Sequence, residues 1–223
     1  MVWAVARRAA PLEELAAASP PGAVCPVVAD LTAAAGRRAV ATAVERSGGA
    51  LDVMVHAAGI LGPVGLTLDR YPESAWRQVF EANVSAVHLL HQLLAGSLGR
   101  GHRPAVIGVS STVGRRGRAT WGMYAVSKFA LEGWLEVLAD EWEGRVYSVN
   151  PGGTSTPMRA AAIPDEDPST IPAPADIAPL FLHLAHPDTT VPTGARLEAR
   201  DWIGCDPWSG LPDHPVPGPG PTR

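Results

Sequence analysis

Lysine is nearly absent from this sequence: Lys128 is the only one among 18 Lys and Arg residues. Cysteine is also scarce. Cys25 and Cys205 are too few for a disulfide framework, so we expect a reducing, cytoplasmic compartment. No apolar run approaches the roughly 18 residues that span a bilayer, and we expect no membrane association. The start, MVWAVARRAAP, carries its charges after the apolar stretch, which is not the signal-peptide pattern.

Basic charge in excess is missing as well. The 22 acidic and 18 basic residues give a net charge of -4, so there is no excess of basic residues to neutralise phosphates. We therefore expect no nucleic-acid partner. The 223 residues, of which 46% are hydrophobic, suit a single α/β domain with a sizeable core.

What is present is an alternation of short apolar runs with helical segments over residues 1–205. It predicts a parallel sheet covered by helices on both faces. Pro26 predicts that the second ladder begins late, because proline lacks the N–H that a ladder needs. The predicted strands are 2–6, 24–29, 51–59, 104–111, 145–153 and 194–199, and the predicted helices are one opening at Pro11, then 33–46, 72–98, 121–143 and 175–185.

The segment 206–223, DPWSGLPDHPVPGPGPTR, is dense in proline and glycine. Such a composition buries too little surface to offset the entropy of ordering, so we expect a flexible tail after a domain of residues 1–205. A proline-rich recognition ligand is the weaker alternative, since no clear PxxP repeat with flanking charge is present.

Tyr124 and Lys128 stand four residues apart in WGMYAVSK, on one face of the helix predicted over 121–143. A tyrosine hydroxyl, with an ordinary pKa near 10, is a poor proton donor or acceptor at neutral pH. A neighbouring ammonium favours the phenolate and lowers that pKa, so the pair could exchange a proton with an alcohol oxygen. The spacing alone is weak, because surface residues often make the same contact.

Ser111 ends a predicted strand thirteen residues before Tyr124. Ligands of open α/β sheets bind at the carboxyl ends of the strands, so its hydroxyl could bind a substrate oxygen there. Two other strand ends carry glycine turns, HAAG at 56–59 and NPGG at 150–153, which allow a flat ligand to approach the backbone.

These motifs occur in a fixed order: Asp30-Leu31, HAAG, Asn83 in EANVSA, Ser111 before YAVSK, and PGGTST. The set resembles the short-chain dehydrogenase/reductase family up to about residue 200. Residues 110–133 and 150–168 are similar to the YciK-like bacterial oxidoreductases. The resemblance implies a Rossmann-like, doubly wound α/β fold and an NADP-dependent oxidoreductase that interconverts a carbonyl and an alcohol.

The resemblance also implies catalytic roles. Tyr124 would be the general acid/base, and Ser111 would orient the reacting oxygen. Lys128 would lower the pKa of Tyr124 and hold the nicotinamide ribose, and Asn83 would anchor a water in a proton relay.

For the cofactor, the resemblance implies that Asp30-Leu31 contacts the adenine and that Ala57, Ala58 and Gly59 line the adenosine ribose. HAAG departs from the more usual NNAG of the family, so amide hydrogen bonds are lost there.

In the NPGG turn, Pro151 and Gly152 would pack against the nicotinamide. Thr154, through its backbone, and Thr156, through its hydroxyl, would hold the carboxamide and the pyrophosphate.

Arg7 and Arg8 follow the first predicted strand, where an acid would bind the 2′-hydroxyl of NAD and arginine suits the 2′-phosphate of NADP. Ala6 stands where the acid would be, so the pattern favours NADP over NAD. An exposed arginine pair at the start of a helix is the alternative.

Two clusters remain open. Arg115, Arg116 and Arg118 form either a solvated loop or a surface that attracts an anionic substrate. His88 and His91, with His56 elsewhere, lack a third ligand at a suitable spacing, so we expect no metal site.

The family resemblance implies a homodimer or homotetramer through helices 72–98 and 121–143. No G-x-x-x-G-x-G precedes VWAVA, so we expect the first strand, the glycine-rich turn and the first helix of the fold to be absent. A start placed too late and a truly truncated chain are both open. A catalytically impaired remnant that acts as a binding or subunit-interaction module is therefore the alternative function.

Overall fold

Among the described residues, six short strands form where short segments of the sequence separate the helices, and five of them contain valine. The structure is a computed structural model, and it describes residues 1–211. The strands are β1 (Val2–Ala6), β2 (Val24–Val28), β3 (Val53–His56), β4 (Ala105–Val109), β5 (Arg145–Asn150) and β6 (Arg196–Glu198).

Every strand pair is parallel, as the alternation predicted. β1 pairs with β2, and the other strands form a second sheet in the order β3-β4-β5-β6. Within residues 1–211, no ladder joins β1 to β3. The two sheets are therefore separate, and the break corresponds to the central strand that the family resemblance predicted to be absent.

Pro26 does not delay the second ladder, contrary to the prediction. β2 pairs with β1 from Val24 onward, and Pro26 lies opposite Ala4 inside the ladder. The physical reason is that β2 has a neighbour on one side only, and an edge strand tolerates a residue without an N–H.

Eight α-helices of residues 1–211 connect and cover the strands. The predicted helix 72–98 is divided, because a π-helical segment at Glu81–Ser85 joins its two α-helical parts. The helices are α1 (Ala9–Ala17), α2 (Ala34–Arg46), α3 (Glu73–Phe80), α4 (Ala86–Leu98), α5 (Thr112–Arg115), α6 (Gly122–Glu141), α7 (Pro157–Ala162) and α8 (Ala178–Ala185).

The sheet has a hydrophobic core on each face, which confirms the doubly wound arrangement. On one face α2, α4 and α6 contribute Val40, Leu94 and Leu135, which pack with Val106 of β4. On the other face Leu180 of α8 joins a cluster around Tyr147 of β5. Since side chains alternate along each strand, one sheet holds both helical layers.

The first residues of the segment predicted to be a flexible tail, 206–211, make contacts in this structure. The carbonyl of Pro207 lies 2.9 Å from His183 Nδ1 on α8, and the Leu211 side chain is 2% exposed. A backbone carbonyl of this segment thus contacts α8, and one of its apolar side chains is buried. The rest of the predicted tail, with the proline-rich recognition alternative, lies outside the described residues.

Both cysteines, Cys25 and Cys205, carry free thiols. Over residues 1–211, no helix has both the length and the apolar character required to cross a membrane.

Candidate active site

The carboxyl ends of the strands and the first turns of the following segments carry the residues singled out from the sequence. Ser111 follows β4 and caps α5, where its hydroxyl accepts a hydrogen bond from the Val113 N–H at 3.4 Å. α6 brings Tyr124 and Lys128 to the same place, because α5 packs directly against α6. Ser111, Tyr124 and Lys128 are therefore neighbours in the fold.

The Tyr124 side chain is 8% exposed. Burial raises its pKa above the ordinary value, because a phenolate is poorly solvated there, and the Ser111 hydroxyl opposes that rise. The predicted lowering of this pKa by Lys128 is not found in this structure. The cost of burial is the larger effect, so Tyr124 is protonated at neutral pH.

Lys128 is buried against β4. Its Nζ donates to the Val109 carbonyl at 2.7 Å and lies 5.7 Å from the centre of the Tyr124 ring. Burial lowers the pKa of Lys128 to about 8, and the Glu132 carboxylate acts in the opposite direction. The ammonium is therefore close to neutralisation at slightly alkaline pH.

Asn83 lies in the π-helical segment and is 1% exposed. Its Oδ1 accepts from the Ile60 N–H at 2.8 Å, and its Nδ2 donates to the Ile60 carbonyl at 3.0 Å and to Ser127 Oγ at 2.9 Å. The side-chain amide is fully engaged, so it fixes the loop after β3 to α6. Sequence reasoning had not singled out Ser127.

Gly59 lies in that loop, close to Asn83 and Lys128. A Cβ built there would lie 3.0 Å from Asn83 Oδ1 and 3.9 Å from Lys128 Nζ. A side chain at this position would therefore crowd Asn83 and contact Lys128.

A cleft of ≈ 1270 Å³ opens at the ends of β1, β2 and β3. Two aromatic side chains of α3, Trp76 and Phe80, form part of its wall, and the sequence had not marked either one. The predicted residues that line it are Arg7, Asp30, Leu31, Ala57, Ala58 and Gly59.

Not every predicted residue reaches the cleft. Arg8 is exposed and precedes α1 without being among the lining residues. Ser111, Tyr124 and Lys128 also lie beyond its walls, although Gly59 borders both regions.

Asp30 is held in one orientation. Its Oδ1 accepts from the Thr32 N–H at 2.9 Å and from Thr32 Oγ1 at 2.7 Å. These two hydrogen bonds lower the pKa of Asp30, and the nearby Arg7 charge adds to the effect. The cleft therefore has a fixed carboxylate near a guanidinium.

The turn after β5 is held by its own polar groups. The Asn150 Oδ1 accepts from the Gly152 N–H at 3.0 Å, and Gly152 has φ +68°, which favours glycine. Thr154 Oγ1 donates to the Pro151 carbonyl at 3.2 Å. Thr156 caps α7 by accepting from the Arg159 N–H at 3.2 Å, so its hydroxyl is engaged locally.

The histidines pack with tryptophans. His56 lies edge-on to Trp134 at 5.8 Å, and burial lowers its pKa to about 3, so it is neutral. His88 Nδ1 accepts from Trp134 Nε1 at 3.3 Å. Among the residues that the structure describes, no group of three or more His, Cys, Asp and Glu side chains could hold a metal ion.

The arginines that follow Ser111 have two different environments. Arg116 and Arg118 are exposed, and Arg118 lies 5.7 Å from the centre of the Trp121 ring. Arg115 is not solvated, because its Nε donates to Glu132 at 3.0 Å and its Nη1 to Glu198 at 2.6 Å. The only sequence signal for Glu132 was its position four residues after Lys128.

The parallel sheet, the strand-end site and the order of the motifs define a dinucleotide-dependent oxidoreductase fold. The model of the short chain dehydrogenase family matches residues 1–167, and the chain belongs to that family.

Within the family, the chain falls in the YciK-like subgroup. It is 45% identical to the oxidoreductase YciK of Escherichia coli K12 over 152 residues, which cover 67% of this chain and 60% of that protein. The matched part thus spans less than two thirds of that relative's length.

Solved structures agree. A short chain dehydrogenase of Shigella flexneri 2a in complex with NADP has a TM-score of 0.81 at 36% identity, over 89% of this chain and 85% of that one. An Escherichia coli CFT073 short chain dehydrogenase in complex with NADPH has the same score, identity and coverage.

Proposed function

We propose that this chain binds NADP(H) and interconverts a carbonyl and an alcohol, with Tyr124 as the general acid/base. The observation that carries the proposal is the convergence of Ser111, Tyr124 and Lys128 at the end of β4. Of these, Tyr124 has the hydroxyl that can give up a proton, and Ser111 lies beside it.

The residues of the cleft fit the cofactor. The cleft has a volume of ≈ 1270 Å³, which exceeds the roughly 300–1,000 Å³ of typical small-ligand pockets. A cleft of this size suits a dinucleotide. Arg7 would bind the 2′-phosphate, since a guanidinium matches phosphate oxygens, and Asp30 would face the adenine. Ala57, Ala58 and Gly59 would leave room for the ribose. The Shigella relative that was solved with NADP supports this choice over NAD.

NADPH, when bound, supplies a hydride. The protein's own part is the proton: Tyr124, protonated at neutral pH because burial raises its pKa, would donate to the oxygen of a carbonyl substrate. Ser111 would hold that oxygen by a hydrogen bond. Lys128 would hold the nicotinamide ribose, and its charge would stabilise the phenolate that remains. Pro151, Gly152, Thr154 and Thr156 would border the nicotinamide.

Asn83 would act indirectly. Because its side-chain amide is bonded to the loop after β3 and to α6, it would keep Gly59 and Lys128 in a fixed relation. The relay water implied by the family would then have to be held by its backbone.

The cofactor assignment predicts that Arg7→Ala weakens NADPH binding by roughly 10- to 100-fold, since a hydrogen bond between charged groups contributes about 1.5–3 kcal/mol. NADH affinity should stay unchanged, because NADH has no 2′-phosphate. Arg8→Ala is the matched control, and we expect no more than a twofold change. Titration of each nucleotide, followed by nicotinamide and tryptophan fluorescence, measures both constants.

Equal losses for NADPH and NADH in Arg7→Ala would contradict the phosphate contact. If neither nucleotide binds the unmodified chain, the alternative of a non-catalytic binding or interaction module is favoured instead.

We also propose a homodimer or homotetramer through α4 and α6. The support is a set of exposed apolar side chains on these helices, including Leu93, Phe129 and Val137, which are 45–55% exposed. An interface through these helices would remove these side chains from water.

Phe129→Glu should therefore shift the chain to a smaller species in sedimentation velocity, because a carboxylate would be buried without a partner at the interface. Leu182→Glu, on the exposed side of α8, is the control and should leave the assembly intact. A monomeric parent chain would rule out this assembly.

A further inference from the structure

α6 presents three ionisable groups on one face at successive helical turns: Tyr124, Lys128 and Glu132. Their residues are 8%, 6% and 4% exposed. The proposed proton chemistry uses the first two. A carboxylate as buried as Glu132 is costly unless it is paired, so its partners are informative.

Glu132 joins four elements. Its Oε1 accepts from Arg115 Nε at 3.0 Å and from Ser148 Oγ of β5 at 2.7 Å, and its Oε2 lies 3.3 Å from Arg196 Nε of β6. Burial alone would raise the pKa of Glu132, but the serine hydroxyls and Arg115 outweigh burial and lower it. Glu132 is therefore an anion in the folded protein.

Arg115 links this anion to the Ser111 segment, which consists of Ser111 and the α5 residues 112–115. It ends α5, the four-residue helix that Ser111 caps. Besides Glu132, it donates to Glu198 Oε1 at 2.6 Å, so α5 is bound to both α6 and β6. A shift of α5 relative to α6 would break these bonds and carry Ser111 with it.

The charges of the network do not cancel. Arg196 also pairs with Glu136 at 3.0 Å, so the network holds three carboxylates and two guanidinium groups. One negative charge is left over, and residue Glu132 is one helical turn from residue Lys128 along α6.

The other groups that face Lys128 supply no second anion. From α6, Tyr124 is protonated at neutral pH, and from β3, His56 is neutral. From β4, the Val109 carbonyl accepts its hydrogen bond, and Asn83 nearby is uncharged. Within the described residues, Glu132 is thus the group that offsets the burial of the ammonium.

We propose that Glu132, anchored by Arg115, is a positioning residue that keeps the Lys128 ammonium charged and holds the Ser111 segment against α6. The consequence for catalysis rests on the function proposed above for Tyr124, Ser111 and Lys128. The effect on the charge of Lys128 does not depend on that function.

The single lysine makes a direct measurement possible. Biosynthetic labelling with ¹³Cε,¹⁵Nζ-lysine gives one side-chain signal, whose pH titration reports the Lys128 pKa in the intact chain. In Glu132→Gln, an amide of the same shape still accepts from Arg115 and Ser148. We expect the Lys128 pKa to fall by about one unit, the lower end of the effect of a nearby opposite charge.

Glu136→Gln is the matched control. Glu136 lies one turn further along α6, is exposed and pairs with Arg196, but it does not act on Lys128. Its removal should leave the Lys128 pKa unchanged. An unchanged pKa in Glu132→Gln, or an equal shift in both variants, would overturn the proposal.

Turnover separates charge from packing. In Glu132→Gln, the alkaline limb of kcat for carbonyl reduction should move to lower pH by the same amount as the Lys128 pKa, with kcat at pH 6 within twofold. A loss that is equal at all pH values would mean a structural role only. In Arg115→Met, kcat should fall at every pH while the Lys128 pKa does not fall; Arg115→Gln, which adds no second lysine signal, serves if the first variant does not fold.

The two proposals can fail separately. If the parent chain reduces no carbonyl, the lysine titration still decides whether Glu132 maintains the ammonium. If Tyr124 proves essential while Glu132→Gln leaves the Lys128 pKa unchanged, only the present inference is wrong.

Discussion

Replacing Tyr124 with phenylalanine should lower NADPH-dependent carbonyl reduction by roughly 10²- to 10⁴-fold, the contribution of a positioned general acid. The ring is retained, so its packing against Trp121 at 6.0 Å is kept, and only the proton donor is removed. NADPH affinity should be unchanged, because the substitution removes one hydroxyl and keeps the residues that would bind the nucleotide. The measurement is the loss of NADPH absorbance with a panel of ketones and quinones, together with the NADPH dissociation constant.

Tyr147→Phe is the matched control. Tyr147 is also buried, but its hydroxyl donates to the Val191 carbonyl at 3.1 Å in the core on the α8 side of the sheet. We expect this variant to lose some stability and to keep its turnover. A Tyr124→Phe variant that retains a tenth or more of the parent turnover would refute the role of Tyr124.

Alanine at Gly114 should destabilise the fold by about 1–3 kcal/mol, the usual cost of overpacking, and should also lower turnover. A Cβ there would lie 2.7 Å from Lys128 Cβ and 3.0 Å from the Lys128 carbonyl. The contact is with backbone, which cannot rotate away, so α5 must move from α6. Ser111 at the start of α5 would then be displaced from Tyr124. Urea unfolding and turnover of the same preparation measure the two effects.

Gly117→Ala tests the same loop without the clash. No atom lies within 4 Å of a Cβ at Gly117. Its stability should therefore stay within about 0.5 kcal/mol of the parent, as for most surface substitutions. If Gly114→Ala unfolds at the same urea concentration as Gly117→Ala, the close approach of α5 and α6 is not the constraint inferred here.

The fold was predictable because its signals are local. Short apolar runs, most of them rich in valine, and intervening helical segments mark β1 to β6 within a few residues, and parallel pairing follows from the helices between them. Pro26 was misjudged because whether a strand lies at an edge depends on its neighbours, which the local sequence does not specify.

The site was predictable in part, through motifs that resemble a family. Ser111, Tyr124 and Lys128 were named from their spacing, and the fold brings them together. The pKa of Tyr124 was not predictable, since it depends on how deeply the side chain is buried. The partners of Arg115 were missed because Glu132 and Glu198 are 17 and 83 residues away along the chain.

The π-helical segment at Glu81–Ser85 allows one continuous helix, made of α3 and α4, to face two different surfaces. In a regular α-helix of about 3.6 residues per turn, Leu94 would fall directly in line with Trp76, about five full turns later. The extra residue in the π-helical segment rotates everything after it by about 100°. Trp76 can therefore flank the cleft while Leu94 faces the interior, and the phase shift, not a change of direction, separates the wall of the cleft from the core.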